Sequence, residues 1–211
     1  MSRILVISPH PDDEAIGCGG TLRRRILAGD VVHVVFLTSG ENGGHGRSPI
    51  DTARIRELEA HDAAAILGLT QIEFWNEPDG SVVATPPLID RLRSRLADWR
   101  PDVVYVPHER EMHPDHRAAH GLVRSALIAS PGAAAAITVW GFEVWTPLQQ
   151  IDEVVDITEF IDSKLAAIRA HKSQCDVMRF DDAMLGLARY HGALHGWNGV
   201  RFAEIFMKVL P

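Results

Sequence analysis

His10, Asp12, Asp13 and Glu14 bring one imidazole and three carboxylates together within five residues. Groups of that kind are costly to crowd unless a cation or solvent compensates them. A second segment, His113-Pro114-Asp115-His116, supplies further donors far along the chain. Two imidazoles and one carboxylate with positions left open suit zinc, or ferrous iron. His10, Asp13 and His116 are the expected ligands. Pro11 biases His10 towards extended backbone, and Asp13, three residues on, can turn back to the same point. Asp12, adjacent to a ligand, is then free to act as general base on water at the metal. His113 is expected to give a hydrogen bond or proton to a developing oxyanion or leaving amine. Asp115 is expected to orient one of the histidines. Glu14 reads as a first-turn residue favoured by the helix dipole. His120, one helical turn past His116, reads as a core or supporting histidine rather than a fourth ligand.

These residues need a scaffold, and the chain alternates strand and helix patterns. Residues 4–7 form an apolar run that reads as a buried strand, and 15–28 a helix stopped by Gly29. Strands are expected at 31–37, 72–75, 103–106, 137–144 and 154–157. Apolar residues at helical spacing predict helices ending near Gly68, before Pro101, over 116–129 and over 161–171. Residues 203–210 read as a late strand or helix, and 173–199 carries no clear pattern. Such alternation predicts a single α/β domain over 1–211, a three-layer, Rossmann-like arrangement with a mostly parallel sheet. Both motifs then follow strands, where open α/β sheets place ligands. Gly17, Gly19 and Gly20 do not have dinucleotide-binding spacing, and are expected to permit close helix packing. The Gly-rich loop 39–49 reads equally as a flap over the site or a plain surface loop.

The bulk properties narrow the partners. With 211 residues, 46% apolar and 23% charged, the chain has the composition of a soluble globular domain. A formal net charge of −7 and the absence of a basic cluster argue against nucleic acid. Cys18 and Cys175 are too few for a cysteine cage and are expected to be buried thiols in a reducing, cytoplasmic setting. The uncharged stretch 125–142 is rich in Ala and interrupted by Pro131, Gly132 and Gly141, a poor membrane span. The expected partner is a small molecule, with neither nucleic acid nor membrane; whether the chain forms a homo-oligomer is open.

The two His/Asp motifs in this context resemble the zinc-dependent N-acetylglucosaminyl deacetylases of the PIG-L/LmbE superfamily, relatives of the mycothiol and bacillithiol deacetylases. Residues 38–41 look like that family's TxGE. Arg56, Glu59, Ala63, Leu67 and Gly68 fit its RxxExxxAxxxLG helix, and residues 78–80 its PDG turn. Lys164, His171, Ser173 and Gln174 look like its K…HxSQ segment, and residues 203–206 its AExF end. The resemblance implies zinc-assisted hydrolysis of an N-acetyl group from an amino sugar. It gives His10, Asp13 and His116 to zinc, Asp12 to the base and His113 to the oxyanion or leaving group. It makes Arg56 and Glu41 candidates for substrate contact, whereas Arg56 read alone is a solvated helix arginine. Met112 stands where some relatives carry a Tyr, which shifts weight to His113. A two-metal phosphoesterase would need more bridging ligands. An iron oxygenase would need a cosubstrate, and a non-enzymatic sugar-binding protein would have no use for Asp12 and His113.

Overall fold

In the computed structural model, which describes residues 1–130, 132, 136–197 and 199–209, Ile4, Leu5, Val6 and Ile7 of β1 (Arg3–Ser8) have no solvent exposure. Successive strand residues face opposite sides. Ile4 and Val6 therefore join one core and Leu5 and Ile7 another. A strand apolar on both faces belongs in the middle of a sheet covered on both sides. The remaining strands are β2 (Val31–Phe36), β3 (Gln71–Phe74), β4 (Val103–Pro107), β5 (Thr138–Phe142), β6 (Glu153–Asp156) and β7 (Ala203–Lys208). They form a seven-stranded sheet in the order β3-β2-β1-β4-β5-β7-β6. The pairings among β1 to β5 are parallel. β7 runs antiparallel to both β5 and β6. The late element is thus a strand, and Leu210 lies outside the described residues.

Helices α1 (Asp13–Leu27), α2 (Pro49–Leu67) and α5 (Ile161–Ala170) supply the first core, while α3 (Pro86–Trp99) and α4 (Pro114–Ile128) supply the second. Local chemistry sets their ends. Ser48 Oγ accepts from Asp51 N at 3.1 Å to start α2, and Gly68 at φ 83° closes it. The unassigned segment 173–199 resolves into a single turn, α6 (Lys172–Cys175), and a long helix, α7 (Phe180–His195). The uncharged stretch resolves into the end of α4 and β5, with 131 and 133–135 outside the described residues. Among the described residues no helix is long and apolar enough to cross a membrane. Cys18 is buried as expected, but Cys175 is partly exposed.

This topology determines where chemistry can happen. From β1 the sheet grows through β2 to β3 on one side, and through β4 to β5 on the other. The crevice outside the carboxyl ends of β1 and β4 is therefore the switch point where doubly wound sheets bind ligands. His10 follows β1 and His113 to His116 follow β4, so sheet pairing alone brings the two motifs together.

Helix α1 carries Asp13 and is pinned from two sides. A Cβ on Gly17 would run into the Phe142 ring, and one on Gly20 would come within 2.9 Å of Ile157. Lys164 Nζ reaches Ile16 O at 2.6 Å and Glu204 Oε1 at 2.5 Å, and Glu204 accepts from Gly20 N and Thr21 N. Gly17→Ala is expected to destabilise the protein by about 1–3 kcal/mol, because overpacking against Phe142 outweighs alanine's better helix propensity. A lowered urea midpoint at unchanged m-value would show it.

Candidate metal centre

The donor atoms form a small triangle. His10 Nδ1 lies 3.1 Å from Asp13 Oδ2, His116 Nε2 lies 3.2 Å from the same oxygen, and the two nitrogens are 3.3 Å apart. Metal–donor bonds of about 2.0–2.1 Å in a tetrahedron set ligand atoms about 3.3–3.4 Å apart. The triangle therefore has the size of one face of a tetrahedral site. All three side chains are buried.

The opposite nitrogen of each imidazole faces carboxylates. His10 Nε2 is 3.1 Å from Asp79 Oδ1 and 3.3 Å from Asp115 Oδ2. His116 Nδ1 is 3.5 Å from Glu111 Oε2. Ligating histidines are commonly oriented in this way, by carboxylates on the ring nitrogen that does not bind the ion. Two overlapping groups, His10–His113–His116 and His10–Asp79–Asp115, also bring donors within 4.8 Å of one another. One imidazole cannot turn both nitrogens to a single ion. Asp115 is already engaged by Gly80 N at 2.7 Å and Val82 N at 3.1 Å. The Asp79–Asp115 side of His10 is thus placed to orient the ring, with Nδ1 turned towards Asp13 and His116.

The electrostatics of these side chains reflect the crowding. Burial would push His10 and His116 down, but the carboxylates around them prevail, raising His10 and lifting His116 to about 9. Burial opposes ionisation of Asp13 too, yet His116 and His10 hold its carboxyl well below the usual range. Asp12 rises to about 6 through burial, with Arg56 opposing. A bound dication compensates such a cluster directly.

The family model for GlcNAc-PI de-N-acetylase, PIG-L, matches residues 5–127. The chain belongs to the PIG-L family. Diacetylchitobiose deacetylase of Thermococcus kodakarensis is 31% identical, over 100% of this chain and 87% of that protein. Among solved PIG-L-like structures, N,N'-diacetylchitobiose deacetylase from Pyrococcus horikoshii superposes with TM-score 0.87 at 27% identity, covering 99% of this chain and 84% of that one. GalB, the 4-carboxy-2-hydroxymuconate hydratase from Pseudomonas putida, also gives TM-score 0.87, at 25% identity over 100% of this chain and 97% of that one.

Around this PIG-L centre the remaining residues expected at the site divide. Asp12 adopts φ 129°, a strained backbone for a non-glycine residue, next to Asp13 of the donor triangle. Arg56 holds it there: one guanidinium nitrogen bonds Asp12 Oδ2 at 3.0 Å and Pro11 O at 2.7 Å, the other Gly40 O at 3.0 Å. Arg56 is buried at the cavity wall, not a solvated helix arginine. Glu14 does more than start a helix: it is fully buried and accepts from Asp12 N at 3.3 Å. Burial, with Asp12 beside it, pushes its carboxyl up to about 8. Glu41 does not line the cavity; its Oε1 accepts from Asp79 N at 2.9 Å and fixes the 78–80 turn. His113 lines the cavity, and its Nδ1 caps α4 by accepting from Asp115 N. His120 turns away to Pro107 O. In loop 39–49, Asn42 and Gly43 at the cavity are tied down, with Asn42 bonding Asp79 twice and Gln174 Nε2 donating to Gly43 O, while residues 45–49 are exposed.

Glu111 and Asp79 escaped the sequence reading as site residues. Asp79 lies in the recognised PDG turn, and Glu111 only two residues ahead of His113.

Proposed function

We propose that this chain is a metal-dependent N-deacetylase that hydrolyses the acetamido group of an N-acetylglucosamine-type sugar. The observation that carries the reading is the buried His10–Asp13–His116 triangle with Asp12 beside it, in a chain of the PIG-L family. A divalent cation, zinc in the first instance, supplies a Lewis acid that polarises the amide carbonyl and acidifies water. His10, Asp13 and His116 would hold it, with Asp79, Asp115 and Glu111 orienting the rings. Asp12 accepts the proton of the attacking water at its carboxylate; Arg56 keeps that carboxylate aimed and balances its charge. His113 accepts a backbone N–H at Nδ1, so its neutral ring carries hydrogen on Nε2. Burial and the neighbouring His10 and His116 lower its affinity for a second proton. His113 therefore acts first as a hydrogen-bond donor to the developing oxyanion.

The fold is shared with a hydratase, so the reaction type needs its own measurement. Purified protein is expected to bind one divalent ion, and to release acetate and free amine from N-acetylglucosamine conjugates. A chelator should abolish turnover and zinc restore it. Turnover unaffected by complete metal removal would reject the reading.

A further inference from the structure

The metal centre opens into a cavity of about 280 Å³ whose walls differ sharply in character. One wall is polar, built from Asn42, Gly43, Asp79 and Gln174. The other carries Val144, Trp145, Met178 and Phe180. Trp145 and Phe180 pack edge to face, with ring centroids 5.4 Å apart at 70°. Trp145 still leaves 37% of its surface exposed and Met178 42%. Large apolar side chains grouped beside a polar reaction centre mark a ligand-contacting face.

The Val144–Trp145 side of this wall is tied to the centre. Glu111 accepts from Val144 N at 2.6 Å, Trp145 N at 3.0 Å and Thr146 N at 3.2 Å. The same carboxylate faces His116 Nδ1. The Val144–Trp145 side of the wall and His116 thus share one anchor, which preorganises that side for a ligand.

Charge narrows the ligand. Asp12, Asp13, Asp79, Glu111 and Asp115 surround the centre. A dication and Arg56 would leave this set net negative. Arg56 lines the cavity with His10, His45 and His113, and its guanidinium is already engaged by Asp12, Pro11 O and Gly40 O. Val144, Trp145, Met178 and Phe180 carry no charge, and Arg179, between the last two, pairs with Asp181 and Asp182.

We propose that Trp145, Phe180 and Met178 form the subsite for the group attached to the amino sugar, and that this group is uncharged and presents a flat apolar face. The proposal rests on the deacetylase reading. A cavity this small takes the acetamido sugar at the metal and leaves the attached group stacked on Trp145 at the mouth.

The test compares kcat/KM on four probes: N-acetylglucosamine, its N-acetylglucosamine disaccharide, its aryl glycoside and its malyl glycoside. The wild-type protein is expected to prefer the disaccharide or the aryl glycoside over the malyl glycoside; the stronger of the two identifies the apolar face as sugar or aromatic. Trp145→Ala should cut the ratio of the preferred glycoside to the free sugar about tenfold, the equivalent of roughly 1.4 kcal/mol. Met178→Ala, a substitution at an exposed side chain, should lower the same ratio and guards against misfolding of the first variant. Equal losses on free sugar and glycosides, or a preference for the malyl glycoside, would overturn the subsite. Wild-type protein that binds metal but is inert on all four probes would overturn the deacetylase reading, and the subsite with it.

Discussion

Asp12→Asn is expected to keep the fold and the metal and to lower kcat by about 10²–10⁴, the usual contribution of a positioned proton acceptor. The substitution preserves shape and removes the acceptor carboxylate. His10, Asp13 and His116 are untouched, so the ion stays. Arg56 retains its bonds to Pro11 O and Gly40 O, so the loop around the base stays in place. Metal content and thermal midpoint measured beside kcat separate lost chemistry from lost structure. Wild-type turnover in this variant would move the base elsewhere. Arg56→Ala should act differently: it frees the strained Asp12 backbone and removes the counter-charge of a buried carboxylate, so stability should fall along with kcat.

The contrast between Asp12 and Arg56 shows which parts of the site could be read from the sequence. His10, Asp12 and Asp13 lie within four residues, and their setting between an apolar strand and a helix indicates that they converge at the strand end. His113, Asp115 and His116 repeat that logic. Pairing of β1 with β4 then follows from ordinary doubly wound topology. Arg56 was visible as a motif residue, but its task depends on the path of the chain at Pro11 and Gly40, which no local pattern specifies. The same holds for the other motif residues, which meet in pairs. Glu59 takes Ser173 N and Oγ at 2.7 Å each, and Lys164 meets Glu204. Each motif looked like an isolated polar signature, whereas in the fold these pairs satisfy one another; the buried His171 ring, by contrast, bonds no protein group among the described residues. Residues 173–199 were opaque because α7 buries only Ala188, His191 and Gly192, too few for a clear apolar stripe. The late strand was ambiguous because a short apolar run fits either period. Its antiparallel seat between β5 and β6 is decided by sheet pairing at long range.

His116→Ala should remove the metal and with it all measurable turnover. Its Nε2 is one corner of a triangle whose other corners are an imidazole and a carboxylate on a neighbouring segment. Deleting that corner leaves two donors for an ion that needs at least three from the protein. The ring is fully buried between Asp13 and Glu111, so the variant also leaves two carboxylates facing each other across a void. Some loss of stability should therefore accompany metal loss. Glu111→Gln provides the graded counterpart. It keeps the ring and all three donor atoms but exchanges the charged partner of His116 Nδ1 for a neutral amide. Loss of such an orienting carboxylate typically costs about 10–100-fold in metal affinity or activity. Titration with a chelator should place Glu111→Gln between the wild-type protein and His116→Ala. Excess zinc should restore turnover to Glu111→Gln and leave His116→Ala inactive. If both variants bound metal as tightly as the wild-type protein, the ion would have to sit on the other side of His10, between Asp79 and Asp115, and the assignment of Asp12 as base would fall with the triangle.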